Sequence, residues 1–136
     1  AAVAEMEHQM FSDAWSEKSI LETISQPNSV CLLAEKAGRA AGYLLAYTAA
    51  DEAEIARIGS VREFRRQGVA KTLLAELESV GRTRGIRKIL LDVRCGNEAA
   101  RGLYEKCGFQ EDGIRQRFYE NPEEDAVLMS RTIEEA

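Results

Sequence analysis

Between residues 54 and 81 the spacing of apolar side chains changes from about two residues to about 3.6, and the change falls at one glycine, Gly68. Before it, "AEIARIGSV" alternates, with Ile55, Arg57, Gly59 and Val61 against Glu54, Ala56, Ile58 and Ser60, which is the pattern of a strand. After it, Val69, Leu73, Leu77 and Val80, flanked by Ala70, Leu74 and Gly81, make one apolar stripe, the pattern of a helix packed on a core. A strand that passes into a buried helix through a glycine turn restricts the chain to layered sheet-and-helix folds.

The remaining elements fit such a layering. Val3, Met6, Met10 and Phe11 fall at helical spacing, and Ser16 is an N-cap for a second short helix through Ile24. Pro27 and Asn28 end that region. "SVCLLAEK" and "AAGYLLAYTA" read as a hairpin of two buried strands joined by Ala37, Gly38 and Arg39, and with "AEIARIGSV" they make an antiparallel meander. Beyond the helix that follows Gly68, "KILLDV" is a short strand and "NEAARGLYEKCGF" a helix started by Asn97 and stopped by Gly108. Two strands follow, over 109–118 and 125–133. The predicted class is α+β with a mixed α/β element order, read as one domain over 1–136.

A net charge of −5 disfavours general binding to nucleic acid or acidic membrane, since both depend on neutralising phosphates with Lys and Arg. Three cysteines, Cys31, Cys95 and Cys107, follow neither disulfide-framework nor metal-ligand spacing, so free thiols in a reducing, cytoplasmic setting are expected. No apolar run approaches the roughly 18 residues of a membrane span. His8 is the one histidine and has no second ligand nearby, so no metal is expected. A monomer or weak dimer is anticipated.

The glycine turn is also the most basic stretch, "FRRQGVAKT". A helix N-terminus presents unpaired N–H groups and the positive end of its dipole. Arg65, Arg66 and Lys71 add full charges, and Gly68 and Ala70 let an oxygen approach the backbone, so the turn suits a pyrophosphate. A nucleoside-triphosphate loop is excluded by spacing, because Lys71 is not preceded by glycine and no glycine lies five residues before Gly68. A solvated basic turn remains the plain alternative.

In combination the motifs say more. "AEIARIGSVREFRRQGVAKTLL" followed by "LLDVRCGNEAARGLYEKCGF" resembles the GNAT family of N-acetyltransferases. Its pyrophosphate turn reads Arg/Gln-x-x-Gly-x-Gly/Ala, matched here by Arg65, Arg66, Gln67, Gly68, Val69 and Ala70. The stretch from Asn97 to Phe109 resembles a second family feature. "FSDAWSEKSI", "LDVR" and "RQRFYENPEEDAVLM" are similar to the branch that acetylates N-terminal alanines of ribosomal proteins, the RimI type. The departures are Arg62 where a proline is frequent, Asp92 where glutamate is usual, and an opening strand that would precede Ala1.

The resemblance implies a mostly antiparallel twisted sheet flanked by helices, with acetyl-CoA as cosubstrate. The amides of Arg66 to Lys71 would hold the pyrophosphate, and Ile58, Gly59 and Ser60 would pair with the pantetheine arm as an extra strand. An interior Gly59 agrees, since glycine weakens a strand unless something approaches it closely; a simple bulge is the alternative. Asp92 is implied as the general base, through water, with Glu54 second and an ion pair with Arg94 as the alternative. Tyr104 is a core aromatic by periodicity and, by resemblance, the acid that protonates the departing thiolate. Asn97 would cap its helix and touch the pantetheine arm, while Lys106, with Arg101, would approach the nucleotide end.

Trp15, Phe118 and Tyr119 would flank the acceptor entrance, where Glu17, Glu120, Glu123 and Glu124 would favour a basic peptide such as a ribosomal-protein terminus. An acyl-cysteine route through Cys95 or Cys107 lacks a histidine to activate the thiol, so direct transfer in a ternary complex is expected. A small-molecule amine acetyltransferase and a non-catalytic CoA-binding regulatory module are the competing functions.

Overall fold

The computed structural model describes residues 26–60, 68–119 and 123–133. The two helices read over 3–24 lie outside the described residues, as do His8, Trp15, Glu17, Arg65, Arg66, Gln67 and Glu120.

The described elements are β1 (Ser29–Lys36), β2 (Arg39–Ala49), β3 (Glu52–Ser60), α1 (Val69–Thr83), β4 (Lys88–Arg94), α2 (Glu98–Lys106), β5 (Gln110–Tyr119) and β6 (Glu124–Thr132). The strands form one six-stranded sheet in the order β1-β2-β3-β4-β6-β5. All pairs are antiparallel except β3 with β4, which the α1 crossover makes parallel. This is the mostly antiparallel α+β sheet expected from the sequence.

Two details differ from expectation. The β1/β2 turn is only Ala37 and Gly38, at φ 55° and 75°, and Arg39 already belongs to β2. Two positive φ values match the twist of a two-residue hairpin. Moreover β1 is not a buried strand. It lies at the sheet edge, so only Val30 is fully buried while β2, inside, buries Ala41 through Ala46.

The sheet has two unlike faces. Val30, Leu44, Ile55, Ile89, Leu91, Val127 and Met129 face α1 and α2, where they meet Leu73, Leu74, Leu77 and Tyr104 in the main core. The helical stripe read from the sequence is this contact, with Val69, Leu73, Leu74, Leu77 and Gly81 buried. Alternation sends the neighbours to the second face. There the register aligns Tyr43 with Gly59, Leu90 with Ser130, Asp92 with Leu128, and Arg94 with Ala126. Tyr43, Leu45, Ala126 and Ser130 are fully buried on it.

Candidate functional site

Strands β3 and β4 begin as neighbours and then part. Their ladder has Glu52, Ala53 and Glu54 opposite Lys88, Ile89 and Leu90, and no pair beyond. Residues 55–60 stay paired to β2 on their other side, and 91–94 stay paired to β6. Among the described residues the facing edges therefore have no strand partner beyond the three-pair ladder, an arrangement that accepts an extended, amide-containing ligand as a strand. In β3 the register with β2 shifts between Leu45 and Ala46, leaving Ala56 as the extra residue of a bulge that bends β3 where the cleft opens. Ile58, Gly59 and Ser60 form the end of the β3 edge.

Glu54 is the last residue of β3 paired to β4, and Asp92 is the second residue of β4 beyond the split. Asp92 is half-buried, and that burial raises its carboxyl above the ordinary 3.8; the Glu54 charge raises it further and Arg115 opposes both. A carboxyl kept from full solvation and acted on by a second carboxyl holds a proton more readily than a solvated one, the direction a general base needs. The pairing with Arg94 considered from the sequence does not form, since Arg94 instead meets Glu124 at 3.4 Å.

Tyr104 reaches the region from α2. It is 7% exposed, with its ring 5.8 Å from Phe109. Burial first, then Tyr119 and Cys107, pushes its phenol well above the ordinary 10.0, so it holds its proton at neutral pH. Tyr119 in turn lies under the Arg94 guanidinium, 4.5 Å from ring centroid to carbon, and meets Phe118 edge-on at 5.0 Å. Of the residues expected at the acceptor entrance, Tyr119 thus acts on the expected acid, while Phe118 packs on Tyr119 and is 40% exposed.

At the other end of the cleft Gly68 caps α1 at φ 78° without a side-chain cap, and the first turn holds no acidic residue. The amides of Val69, Ala70 and Lys71 precede the first intrahelical donor, Thr72, which bonds the Gly68 carbonyl at 2.9 Å. A Cβ at Gly68 would meet nothing within 4 Å. Its need for glycine is conformational rather than steric, and none of the described residues fills the space over it.

A groove of about 330 Å³ between α1 and α2 brings Lys71 and Lys106 together with Leu74, Ala75, Glu78, Cys107, Gly108 and Arg131. Glu78 is held by Arg131 at 3.2 Å and Arg82 at 2.7 Å, and Arg131 also donates to the Cys107 carbonyl at 2.6 Å. Lys71 and Lys106 have no carboxylate partner among the described residues, so the groove keeps positive charge. Asn97 caps α2 by accepting from the Ala100 amide at 3.1 Å, which leaves its NH₂ group for another contact.

Some site features were missed in the sequence. Gly42 is one: a Cβ there would overlap the Gly59 carbonyl and lie 2.8 Å from Val69 Cγ1. Its smallness lets the start of α1 settle over β2 and β3, and the signal was a glycine inside an apolar strand. Glu124 is another. It accepts from the Gly96 amide at 2.6 Å and pairs with Arg94, tying the β4–α2 turn to β6. Glu123 meets Arg117 at 3.2 Å, so two of the four carboxylates expected to attract a basic acceptor are already paired.

A mostly antiparallel sheet whose two parallel strands pair over only three residues, joined by a helix that starts at a glycine with no acidic residue in its first turn, is the scaffold of an acyltransferase class. The family model of the acetyltransferase (GNAT) family matches residues 1–109, and the chain belongs to that family. A Bacillus subtilis relative is 35% identical over 98% of this chain and 89% of its own length. The ribosomal protein bS18-alanine N-acetyltransferase of Escherichia coli is 31% identical over 97% of this chain and 90% of its own. The crystal structure of the Escherichia coli ribosomal-protein-S18-alanine N-acetyltransferase superposes with a TM-score of 0.90 at 30% identity, covering 99% of this chain and 88% of that one. A Bacillus anthracis acetyltransferase solved with acetyl coenzyme A aligns at 26% identity and TM-score 0.75, over 84% of this chain and 68% of that one.

Proposed function

We propose that the protein transfers the acetyl group of acetyl-CoA to the α-amine of an N-terminal alanine on a ribosomal protein, in the cytoplasm. The carrying observation is the cleft between β3 and β4, whose unpaired edges lead from the α1 start to Asp92 and Glu54. The names of the relatives that align over nearly the whole chain support the acceptor.

In this reading the pyrophosphate lies on the amides of the Gly68 turn, with Arg65, Arg66 and Gln67 before it and Val69, Ala70 and Lys71 within it. The pantetheine amides pair along Ile58, Gly59 and Ser60 with Asn97 on the opposite side, and the nucleotide end approaches Lys71 and Lys106. The acceptor amine enters past Trp15, Phe118 and Tyr119. Its pKa of about 7.7 to 8.0 means a modest base suffices. Asp92, with Glu54 beside it, takes the amine proton through a water. The nitrogen attacks the thioester carbonyl carbon, the C–S bond breaks, and the thiolate takes the Tyr104 proton, giving the amide and free CoA. Tyr104 and Asp92 then return to their starting protonation by exchange with solvent.

Thiol release from acetyl-CoA tests this, with peptides that begin in alanine, the same peptides blocked at the N-terminus, and small amines. Release that needs the free α-amine upholds the reading. Release with small amines alone moves the acceptor to that class, and acetyl-CoA binding without any release leaves a regulatory CoA binder.

A further inference from the structure

The end of β5 departs from strand geometry. Its register with β6 shifts between Arg115 and Tyr119, and Arg117 adopts φ 52°. In a regular strand residues three apart face opposite sides. Here the Arg115 guanidinium nonetheless lies 4.9 Å from the centre of the Phe118 ring. Phe118 meets Tyr119, and Tyr119 carries Arg94 over its ring. The register also places Arg94, Ala126 and Arg115 in one row across β4, β6 and β5. Two arginines and two aromatics thus make a continuous chain of contacts from β5 to β4, with buried Ala126 between the two arginines in register. Asp92 is the next residue of β4 on that face, one row away.

We infer that Arg115 is a positioning residue that holds the Phe118 bulge in place by stacking while setting a positive charge on the Asp92 side of the sheet, one row from that carboxylate. Other charged groups project from this face among the described residues. Besides Glu54 they are Glu52 and Arg57 on β3, Lys88 and Arg94 on β4, and Glu124 on β6. Arg94 and Glu124 are paired with each other, and Lys88 stands four residues from Asp92. Arg115 is the cation whose charge is felt at Asp92. Glutamine at this position removes charge and stack together, whereas lysine keeps the charge and loses the planar stack. The two effects are therefore separable.

The stacking half rests on the acceptor reading above; the charge half does not. In full-length protein, Arg115→Gln and Arg115→Lys are compared with the wild type by ¹³C-carboxyl titration of Asp92 without ligand, and by kcat and KM for an alanine-initiated peptide. In Arg115→Gln the Asp92 midpoint is expected to rise by about 0.3 to 0.5 pH unit, the size of effect one solvated charge exerts over several ångströms. Arg115→Lys leaves the midpoint in place but raises peptide KM about threefold or more, with KM for acetyl-CoA unchanged. An unmoved midpoint in Arg115→Gln, or a midpoint moved equally by both variants, overturns the charge role, and a wild-type peptide KM in Arg115→Lys overturns the stacking role. A wild-type protein that acetylates no such peptide sinks the acceptor reading instead, and the titration still upholds or overturns the placement of the charge.

Discussion

Asp92 carries its charge where burial and the Glu54 carboxylate both oppose ionisation. Because its folded-state pKa lies above the unfolded value, folding disfavours the ionised form. That penalty is full above the raised pKa and vanishes as pH falls below the unfolded value of about 3.9. Asp92→Asn is therefore expected to melt higher than the wild type at pH 7, with the gap closing on acidification through the carboxylate range, while turnover falls. A thermal-melt series across pH checks it, and a gap that widens on acidification would reverse the assignment. Burial acts on Tyr104 in the same direction and keeps its proton on at neutral pH. Tyr104→Phe keeps the ring packed on Phe109 but removes the donor, so turnover should drop at least tenfold with acetyl-CoA affinity nearly intact. Stopped-flow turnover and calorimetric binding measure the two, and unchanged turnover removes Tyr104 from the chemistry. Both residues stood out in the sequence through the family resemblance. Their protonation did not, because it depends on Glu54, Arg115 and Tyr119, which are distant along the chain.

At the scale of elements, the junction of β2, β3 and α1 depends on Gly42. A methyl there meets the Gly59 backbone carbonyl as well as Val69, and backbone cannot turn aside as a side chain can. Gly42→Ala should destabilise by about 1 to 3 kcal/mol, the usual range for overpacking. It should also weaken acetyl-CoA binding, because the β3 segment it displaces is the one expected to pair with pantetheine. Urea unfolding and acetyl-CoA titration read the two effects, and a loss of stability with unaltered binding would detach Ile58, Gly59 and Ser60 from the cofactor. The elements themselves were largely legible. The period change at Gly68, the Asn97 cap and the three-strand meander each follow from local pattern, and each is present. The exposed position of β1 was not legible, since an apolar run looks the same at a sheet edge and at its centre until strand order is known.

For the molecule as a whole, β1, β2 and β3 form one half of the sheet and β4, β6 and β5 the other. The direct ladder between the halves is three residue pairs long, so their cohesion beyond Glu54 falls on the helical layer above. The resemblance implied an open edge at the end of β3, where Ile58, Gly59 and Ser60 were expected to pair with pantetheine, but local pattern could not place the division, because where two strands stop pairing depends on both at once and on the intervening crossover. A ligand lying between the open edges would join the halves as an added strand. Acetyl-CoA should then slow amide hydrogen exchange in 55–60 and 91–94 more than in the β1/β2 hairpin. At a hundredfold excess over Kd it should stabilise by about 2.7 kcal/mol, and for a domain of this size that moves Tm by roughly 8 to 12 °C. Free adenosine 3′,5′-bisphosphate, which lacks the pantetheine arm, should protect residues 68–71 and leave 55–60 exchanging as in the unliganded protein. Equal protection of both segments by the bisphosphate would mean that the two halves close on nucleotide binding alone, and the cleft would then be a hinge rather than a seat for the arm.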